Sequence, residues 1–577
     1  MTRPPAWRAV TVRRAGLREN PVQALIWLLV LGCVLAPVLP LLYASVQSKP
    51  IYDTGRSFTL SAYSQLFSDP AFWAAARNTA EFAGITTACS VALGSVFAVL
   101  CARCDLFGRR VLGPLIAVPV LLPPLGVILG WNALYGPGGY AHGFITATLH
   151  IPFNLTSVPG MAVLGTATAV PVVFLVCQAA LAGMDASLEN AGRSAGAGAV
   201  RVLSQVTLPM LRPALINSGL LVFTVSIESL GIPLVLGSPQ GHDFIASYLY
   251  GIWSNAVTPD PPSVSAGATV MLVIACALLW LRSRLIGDEA RFVSVGGRSG
   301  SADGVVRLGQ RARILLGGLM ALYLAATTVA PLLALAVESA VSQLTPLIAP
   351  WHLLTSGNWT AIAHGEYIQS IRNSALIALA GAAVATVLVA LATAVAHRSR
   401  FALRRSLPFL LLFPRAIPGL IIGIGFFWSF LLVNPPGHAL LNSTWGLTLA
   451  LSVRSLTLAY FVLSAALTAV STSLDDAARS AGAGWWTTIT RITLPIARPA
   501  VFVAFILMFV SVLNDYDPAL FLATPGTTVM GVAMLDAEAQ GVNGPVAAMA
   551  LVQVAITIIA IAACGWLFRS RARRASA

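Results

Sequence analysis

Charged side chains inside apolar segments are the residues of this chain best placed to do chemistry. A charge at the centre of a bilayer costs about 2.5–3.5 kcal/mol on insertion scales, so each one needs a structural or functional reason. The candidates for a translocation pathway are Glu228, Arg415, Arg454, Asn514, Asp515, Tyr516 and Asp517. Carboxylates and a tyrosine suit a hard cation such as Fe(III), whereas arginines suit an anion, so the sign of a solute does not follow. The alternative is that these groups only pair with one another, Arg454 with Asp515 or Asp517.

One polar loop occurs twice in the chain, 286 residues apart, each time between two apolar segments. The first copy runs Asn190-Ala191-Gly192-Arg193-Ser194-Ala195-Gly196, then nine residues, then Val206-Thr207-Leu208-Pro209. The second copy runs Asp476-Ala477-Ala478-Arg479-Ser480-Ala481-Gly482, then nine residues, then Ile492-Thr493-Leu494-Pro495. Across 191–214 and 477–500, 13 of 24 positions are identical, which excludes chance repetition. A polar loop repeated in this way indicates a docking surface for a partner on that side.

The front part of each loop predicts a short helix. Acidic residues fall in its first turn, with Glu189 in the first copy and Asp475 and Asp476 in the second, where they favour a helix N-terminus. Gly196 and Gly482 supply the left-handed residue that ends a helix. The alanine-rich body presents a small, smooth surface that a partner groove can enclose.

The composition places these residues in a lipid bilayer. The chain has 577 residues, of which 57% are hydrophobic and 10% are charged, against about 25% charged residues in soluble proteins. Apolar runs of about 20 residues each predict one membrane-spanning helix. We expect twelve spans, at 24–46, 79–102, 111–135, 158–182, 214–236, 266–286, 314–337, 373–397, 407–433, 446–470, 500–523 and 543–568.

The distribution of the net charge of +14 indicates the orientation of the chain in the membrane rather than binding of an acidic ligand. With a cytoplasmic N-terminus, 29 of the 35 Lys and Arg residues fall on cytoplasmic segments, four fall outside and two fall within spans. This is the positive-inside bias, and it predicts that both termini are cytoplasmic. A nucleic-acid partner is therefore not expected, whereas membrane lipid is.

The chain is an internal duplication beyond the loop itself. Arg77-Asn78-Thr79 opens the second span and Arg372-Asn373-Ser374 opens the eighth, 295 residues later. The longer outer loop of the first half accounts for the nine-residue difference between the two offsets. The expected organisation is a basic cytoplasmic tail at 1–22, a first half at 23–286 with its core at 74–286, a linker at 287–313, a second half at 314–568 with its core at 369–568, and a basic tail at 569–577.

Glycines and prolines in the third and ninth spans predict close packing and bent helices. Gly126/Gly130 and Gly419/Gly423 are pairs of small residues four apart, which let helices approach closely in lipid. Prolines at 119, 123, 124, 414 and 418 interrupt the same spans and are expected to break or bend them.

The two loops resemble the EAA loop of binding-protein-dependent ABC importer permeases, the family with type I importer membrane domains. In that family the pattern is Glu-Ala-Ala, three residues, Gly, nine residues and Ile-x-Leu-Pro, and its helix docks into a cytoplasmic ATPase. Asp476 takes the place of the glutamate in the second loop. The first loop departs further, with Asn190 and Gly192, although Glu189 lies one residue earlier. The resemblance implies an all-α membrane domain of about twelve helices in two pseudo-twofold-related halves.

Within that family the fused chain is most similar to ferric-iron permeases, and similar groups carry thiamine, phosphonates or polyamines. The resemblance implies docking roles for Glu189, Asn190, Ala191, Gly192, Gly196, Leu208, Pro209, Asp476, Ala477, Ala478, Gly482, Leu494 and Pro495. A phosphate-binding G-x-x-x-x-G-K-[ST] loop requires a lysine, and the only lysine, Lys49, is flanked by Ser48 and Pro50. This chain is therefore not expected to be an enzyme or to bind a cofactor. ATP would be used by two cytoplasmic ATP-binding subunits, and an extracytoplasmic binding protein would deliver the solute to a bacterial inner membrane.

Two other classes compete with this interpretation. Twelve helices in two halves also describe secondary transporters of the major facilitator type, and Asp105-Leu-Phe-Gly108-Arg109-Arg110 mimics a loop of that family. The second half has no counterpart of that loop at 397–405. A membrane enzyme is disfavoured because no nucleophile or metal-binding motif occurs, and Cys101-Ala-Arg-Cys104 is a lone pair without a partner pair. No metal site is expected.

Overall fold

The computed structural model describes residues 8–148, 150, 152–184, 186–254, 260–286, 308–343, 345, 348–433 and 436–575. Within these ranges the chain is all-α, with two isolated β-bridges, Gln47–Phe58 and Val341–Leu354, and no β-strand. Of the expected linker and tails, residues 287–307, 1–7 and 576–577 lie outside the described residues.

The described residues contain nine helices long and apolar enough to span a membrane, and three bent helix pairs bring the number to the predicted twelve if each pair is one span. Nine spans are single helical segments: Pro21–Ser45, Pro70–Arg103, Val158–Gly183, Leu203–Ile227, Pro261–Leu285, Gln310–Ala340, Gly365–Arg398, Thr444–Ala469 and Asn543–Gly565. The third, ninth and eleventh spans are bent pairs: Arg109–Leu121 with Pro124–Tyr135, Arg404–Ala416 with Gly419–Leu432, and Trp485–Ile496 with Arg498–Asn514. Each half thus contributes six spans, and the two polar loops lie on the same side of the bilayer, here called the loop side.

Shorter helices connect the spans. On the loop side these are Ala186–Ser194, Ala199–Val202, Thr472–Ser480 and Trp485–Thr488. Elsewhere they are Ser61–Ser68, Tyr140–Gly143, Ile245–Ser254, Gly357–Ile362, Pro436–Leu441, Ala519–Leu522 and Met530–Ala539.

Prolines break the third and ninth spans, which confirms the prediction made from their positions. The two parts of the third span meet at 104° and those of the ninth at 107°. Pro123 and Pro418 stand at the breaks with extended ψ angles of 123° and 143°, and each immediately precedes the second helix of its span. Proline has no N–H to continue a helical hydrogen-bond ladder, so the helix ends before it.

The fifth and eleventh spans end earlier than the sequence suggests. Apolar residues predicted helices as far as 236 and 523, but the helices are Leu208–Ile227 and Arg498–Asn514. Pro233 and Pro518 follow within six residues and exclude a continuous helix, although the hydrophobic run continues past them. The prediction of unbroken spans there was therefore wrong, and polar residues 228 and 514 stand at helix ends rather than inside helices.

The first span of each half packs against the other half. A Cβ added to Gly425 of the ninth span would lie 1.9 Å from the Pro37 carbonyl oxygen of the first span. In the same way, a Cβ on Gly130 of the third span would lie 2.7 Å from the Pro331 carbonyl oxygen of the seventh. Only glycine permits these approaches, and helix association in lipid depends on such close packing. The first and seventh spans are therefore exchanged between the halves.

The buried clusters follow the same exchange. The largest combines Ile26 and Val30 of the first span with residues of the second half such as Leu407 and Leu411. A smaller cluster combines Met320 of the seventh span with first-half residues. The core is thus continuous across the two halves of the chain.

Candidate functional site

Each polar loop begins with a nine-residue helix, Ala186–Ser194 or Thr472–Ser480, that a glycine ends. Gly196 has a φ of +83° and Gly482 a φ of +85°, a left-handed conformation that a side chain disfavours. In both loops the glycine amide donates to a carbonyl three residues earlier at 2.9 Å, and the next amide donates to a carbonyl five residues earlier at 3.0 Å. This is the Schellman pattern, and it fixes how the chain leaves each helix.

The residues that match the docking motif lie mostly on the exposed face of these helices. Asn190 and Ala191 are exposed in the first loop, and Asp476 and Ala477 are exposed in the second. Ala478 is 8% exposed and packs inward. Its counterpart Gly192 is half-buried, and an added Cβ would lie 3.3 Å from Val202 Cγ2. Among the described residues of the two loop helices, Asp476 is the one carboxylate on this exposed face.

Two leucines that the sequence analysis did not single out share this surface. Leu188 is 50% exposed and Leu474 is 42% exposed, at matched positions of the two loop helices. Their only signal in the sequence is the repeat itself, because a single leucine carries no information about exposure.

The Leu-Pro pairs that close the motif mark the return of the chain into the bilayer. Leu208 and Pro209 begin the helix Leu208–Ile227. Leu494 and Pro495 form a short turn of helix before a 78° bend into Arg498–Asn514. The two loops thus share a sequence pattern but differ in how sharply the following helix turns.

Beneath the exposed face of the first loop lies a buried ion pair. Glu189 is 2% exposed, and Arg103 Nε donates to its Oε1 at 2.9 Å. Thr207 Oγ1 donates to the same oxygen at 3.0 Å, and Arg103 also donates to the carbonyl of Leu181 at 3.3 Å. Glu189 was predicted as a docking residue, but its carboxylate points into the protein rather than to the surface.

The second loop repeats this arrangement with the same chemistry. Asp475 is 5% exposed, Arg398 NH1 donates to its Oδ2 at 2.9 Å, and Thr493 donates to its Oδ1 at 3.1 Å. Arg398 further donates to the carbonyls of Leu467 and Val470. We call each arginine–acid–threonine set a loop clamp.

Neither loop clamp was found from the sequence. The arginine and the acid lie 86 residues apart in the first half and 77 in the second. Arg103 and Arg398 match at the repeat offset of 295 residues, and Glu189 and Asp475 match at the offset of 286, which accounts for the difference of nine. An alignment of the two halves would therefore have shown that both the arginine and the acid are repeated. Each arginine is the last residue of its span, where an isolated arginine is indistinguishable from an ordinary positive-inside charge.

A central charge cluster lies where the broken spans and the shortened helices meet. Its members are Glu228, Arg415, Arg454, Asp515 and Asp517. Arg454 is at its centre: NH2 lies 3.1 Å from Glu228, and NH1 lies 3.4 Å from Asp515 and 3.2 Å from Asp517. The pairing of Arg454 with the two aspartates matches the alternative left open by the sequence, and the structure adds Glu228 to it.

Arg415 is the most accessible member of the cluster. Its side chain is 42% exposed and lies 3.5 Å from Glu228, whereas the Arg454 side chain is 14% exposed. Both ion pairs of Glu228 cross between the halves of the chain. The cluster therefore joins the halves and leaves the Arg415 guanidinium partly exposed.

Glycines of the ninth span make room for the cluster. A Cβ added to Gly419 would lie 2.6 Å from Asp517 Cβ and 2.8 Å from Arg454 NH1. A Cβ on Gly423 would lie 2.8 Å from the carbonyl oxygen of Pro518. The predicted packing role of this glycine pair is confirmed, and its partner is the segment after the eleventh span.

The two remaining pathway candidates are turned away from the ion pairs. Asn514 Oδ1 accepts hydrogen bonds from Gln553 at 3.3 Å and from Thr557 at 3.4 Å, both on the twelfth span. Tyr516 is 6% exposed and packs against Gly231, where an added Cβ would lie 2.0 Å from the tyrosine oxygen. The structure thus brings five of the seven predicted pathway residues together.

Other chemical candidates are not assembled into a site. Among the described residues, no group of three or more His, Cys, Asp or Glu side chains lies close enough to hold a metal ion. Cys101 and Cys104 are free thiols, and burial together with the nearby Asp105 carboxylate raises the pKa of Cys104. A thiol of raised pKa is a poor nucleophile and metal ligand.

The loop at Asp105, whose sequence resembles a loop of secondary transporters, holds the start of the seventh span in this structure. Asp105 Oδ1 accepts the amide of Leu308 at 2.8 Å, and its Oδ2 lies 3.4 Å from Arg313 Nε at the start of the seventh span. The residue therefore holds the exchanged span on the first half.

Comparison with known proteins identifies the family. The family model described as "Binding-protein-dependent transport system inner membrane component" matches twice, at residues 91–286 and 386–573. The chain is 26% identical over 464 residues to a Haemophilus influenzae protein named as a ferric transport system permease, covering 78% of this chain and 70% of that protein. It is 25% identical over 546 residues to a Sinorhizobium fredii protein named as an ABC transporter permease, covering 91% and 92% of the two chains.

A third relative is only one half long. The molybdenum transport system permease protein of Escherichia coli is 29% identical over 228 residues, which is 39% of this chain but 94% of that protein. The two matches of the family model, one in each half, confirm the internal duplication and exclude the major facilitator interpretation. The chain belongs to the family of binding-protein-dependent transport system inner membrane components, the permease subunits of ABC importers.

Proposed function

We propose that this chain is the fused membrane subunit of an ATP-driven importer, with both termini and both polar loops in the cytoplasm of a bacterium. Two ATP-binding subunits dock on the loops, one on each, and an extracytoplasmic binding protein delivers the solute. The observation that carries the proposal is the matched pair of loop helices, which occupy corresponding positions in the two halves on one side of the bilayer. A single partner site would not require the same nine-residue helix twice.

Closure of the two ATP-binding subunits around ATP would draw the loops together and turn the pathway outward, and hydrolysis would reset it inward. In this proposal the exposed residues of the loop helices, Asp476 above all, contact the partner; their exposure supports that role. The buried acids are not. Docking and force transmission thus use different faces of the same short helix.

The direct test is co-purification. The tagged chain is expressed together with the ATP-binding subunit encoded beside it, extracted in native lipid and analysed for subunit ratio. We expect two ATP-binding subunits for each chain. Asp476→Lys, which reverses the charge on the exposed face, should abolish transport and weaken binding without affecting membrane insertion, and Asp53→Lys serves as the matched control on a loop far from this surface.

Gly482→Pro is a second test, because it removes the amide that closes the loop helix. We expect insertion to continue and transport to be lost. Normal uptake by both loop variants would contradict the docking role.

For the solute we propose ferric iron, delivered as a small complex. The name of the Haemophilus influenzae relative supports this choice, as do the three carboxylates of the central charge cluster. The molybdenum permease relative and the accessible Arg415 favour an anion instead, and thiamine, phosphonates and polyamines remain alternatives. Uptake of ⁵⁵Fe(III), labelled molybdate, thiamine, a phosphonate and spermidine into proteoliposomes that hold the whole complex decides between them. Accumulation of any solute other than iron would overturn the iron proposal alone.

A further inference from the structure

We infer that the two loop clamps are positioning elements that carry the movement of each docked loop to the central charge cluster. This inference rests on the proposed function, since it requires a motor that moves the loops. The members are Arg103, Glu189 and Thr207 in the first half and Arg398, Asp475 and Thr493 in the second.

Each clamp joins four elements at one point on the loop side. In the first half, Arg103 ends the second span and donates to the carbonyl of Leu181 near the end of the fourth span. In the second half, Arg398 ends the eighth span and donates to the carbonyl of Leu467 near the end of the tenth span. The acid belongs to the loop helix, and the threonine immediately precedes Leu208 or Leu494, where the chain re-enters the bilayer. Because the bonds are buried and charge-assisted, they are costly to break, and the four elements should move as one body.

Burial excludes direct contact between the clamp acids and a partner. Glu189 and Asp475 are 2% and 5% exposed, while their neighbours Asn190 and Asp476 are exposed. The acids therefore act through the arginine and threonine rather than through the motor. The agreement of the distances in the two halves, 2.9 Å for both ion pairs and 3.0 and 3.1 Å for the threonine bonds, indicates one task performed twice.

The clamp threonine and the central charge cluster lie at opposite ends of one segment. In the first half, Thr207 precedes the helix Leu208–Ile227, which ends at Glu228. Twenty helical residues span about 30 Å, so a tilt imposed at the threonine is felt at the ion pairs of Glu228. In the second half, Thr493 and Asp515 also lie at opposite ends of one stretch of chain, but a 78° bend before Arg498–Asn514 interrupts the helix between them. Displacement of either loop should therefore shift the helix end that carries Glu228 or Asp515 and change the ion pairs that join the halves.

The test measures coupling in the intact complex in proteoliposomes. The seven native cysteines are replaced, and Ser229→Cys beside Glu228 reports the orientation of the pathway through its labelling rate with a membrane-impermeant maleimide. The rate is compared with and without a non-hydrolysable ATP analogue. Asp475→Asn should reduce the nucleotide-dependent change in labelling rate about tenfold, as expected for loss of a hydrogen bond to a charged group. The ATP-binding subunit should still co-purify and hydrolyse ATP.

Conservative variants separate positioning from folding. Asp475→Glu should retain the change, because the first half uses glutamate at this place. Thr493→Val keeps the shape of the side chain but removes its donor, so it should reproduce the defect, whereas Thr490→Val, whose hydroxyl bonds only within its own helix, should not.

Three outcomes would overturn the inference. An unchanged nucleotide response in Asp475→Asn and Thr493→Val would show that the clamps do not transmit movement. Loss of co-purification in Asp475→Asn would make the acid part of the docking surface, and a defect in Thr490→Val equal to that of Thr493→Val would make the effect non-specific. Failure of the unmodified complex to bind any ATP-binding subunit would instead refute the proposed function.

Discussion

Arg454 balances three carboxylates at once, and its removal is the most damaging single change that the central charge cluster offers. Arg454→Met leaves Glu228, Asp515 and Asp517 without their main partner. Breaking a buried ion pair from one side costs about 3–5 kcal/mol, because the remaining charge is buried and uncompensated. We expect a markedly lower melting temperature of the purified chain in detergent, measured by tryptophan fluorescence.

The matched control is Arg405→Met, an exposed arginine on the loop side whose loss should change the melting temperature little. Adding Asp517→Asn to Arg454→Met should recover part of the loss, since it removes one of the orphaned charges. Equal stability of the two single variants would mean that the cluster is solvated and not a structural centre.

Glu228 is the only first-half member of the cluster, so its charge can be removed with little change in shape. Glu228→Gln retains hydrogen bonding but weakens the pairs with Arg454 and Arg415, which lie 3.1 and 3.5 Å away. We expect altered uptake with normal recovery of the ATP-binding subunit. If that subunit is lost as well, Glu228 serves folding rather than transport.

At the scale of single elements, the loop helices depend on a backbone conformation. Gly482→Ala forces a side chain into φ +85°, which costs about 1 kcal/mol even though nothing lies within 4 Å of the added Cβ. We expect weaker binding of the ATP-binding subunit, measured as a higher dissociation constant in lipid nanodiscs. Gly484→Ala is the control two residues away, because Gly484 has an ordinary φ of −72°. Equal binding by the two variants would show that the helix end does not set the docking geometry.

The positions of helices and of their breaks were predictable where nearby residues in the chain determine them. The twelve apolar runs, the breaks at Pro123 and Pro418 and the glycine stops of the loop helices all depend on residues close in the chain. The ends of the fifth and eleventh spans were missed because apolar residues resume within a few positions, after Ser229 and after Pro518. The length of an apolar run predicts how much of the chain is buried in lipid, but it does not show whether that stretch is one unbroken helix.

Contacts between distant residues were beyond sequence reasoning. The loop clamps join arginines and acids 77 or more residues apart, and nothing local marks them. The pairing of Arg454 with aspartates was foreseen as one of two options because so few charges lie in the membrane. Its third partner, Glu228, comes from the other half, and the repeat, which matches Glu228 with Asn514, suggested only that these polar groups could meet.

At the scale of the whole molecule, the exchanged first and seventh spans should hold the halves together without the covalent linker. We expect separately expressed segments 1–297 and 298–577 to assemble, since the first span packs on Gly425 and the seventh on Gly130. Recovery of the untagged segment with a tagged partner, followed by size-exclusion chromatography, measures this. Gly425→Val should abolish the association by displacing Pro37, and failure of the unmodified segments to assemble would show that the exchange does not suffice.

Four of the five residues in the central charge cluster belong to the second half, and the repeat places neutral Val120 and Thr168 opposite Arg415 and Arg454. A permease built from two copies of one polypeptide must duplicate every mutation across its symmetry axis. A single chain that holds both halves is free of that constraint: a substitution near Asp517 changes the second half and leaves the first half as it was. Under the proposed function, substrate preference can therefore change by single substitutions in the carboxy-terminal half, which supplies four of the five charges, while Glu228 of the amino-terminal half stays as it is.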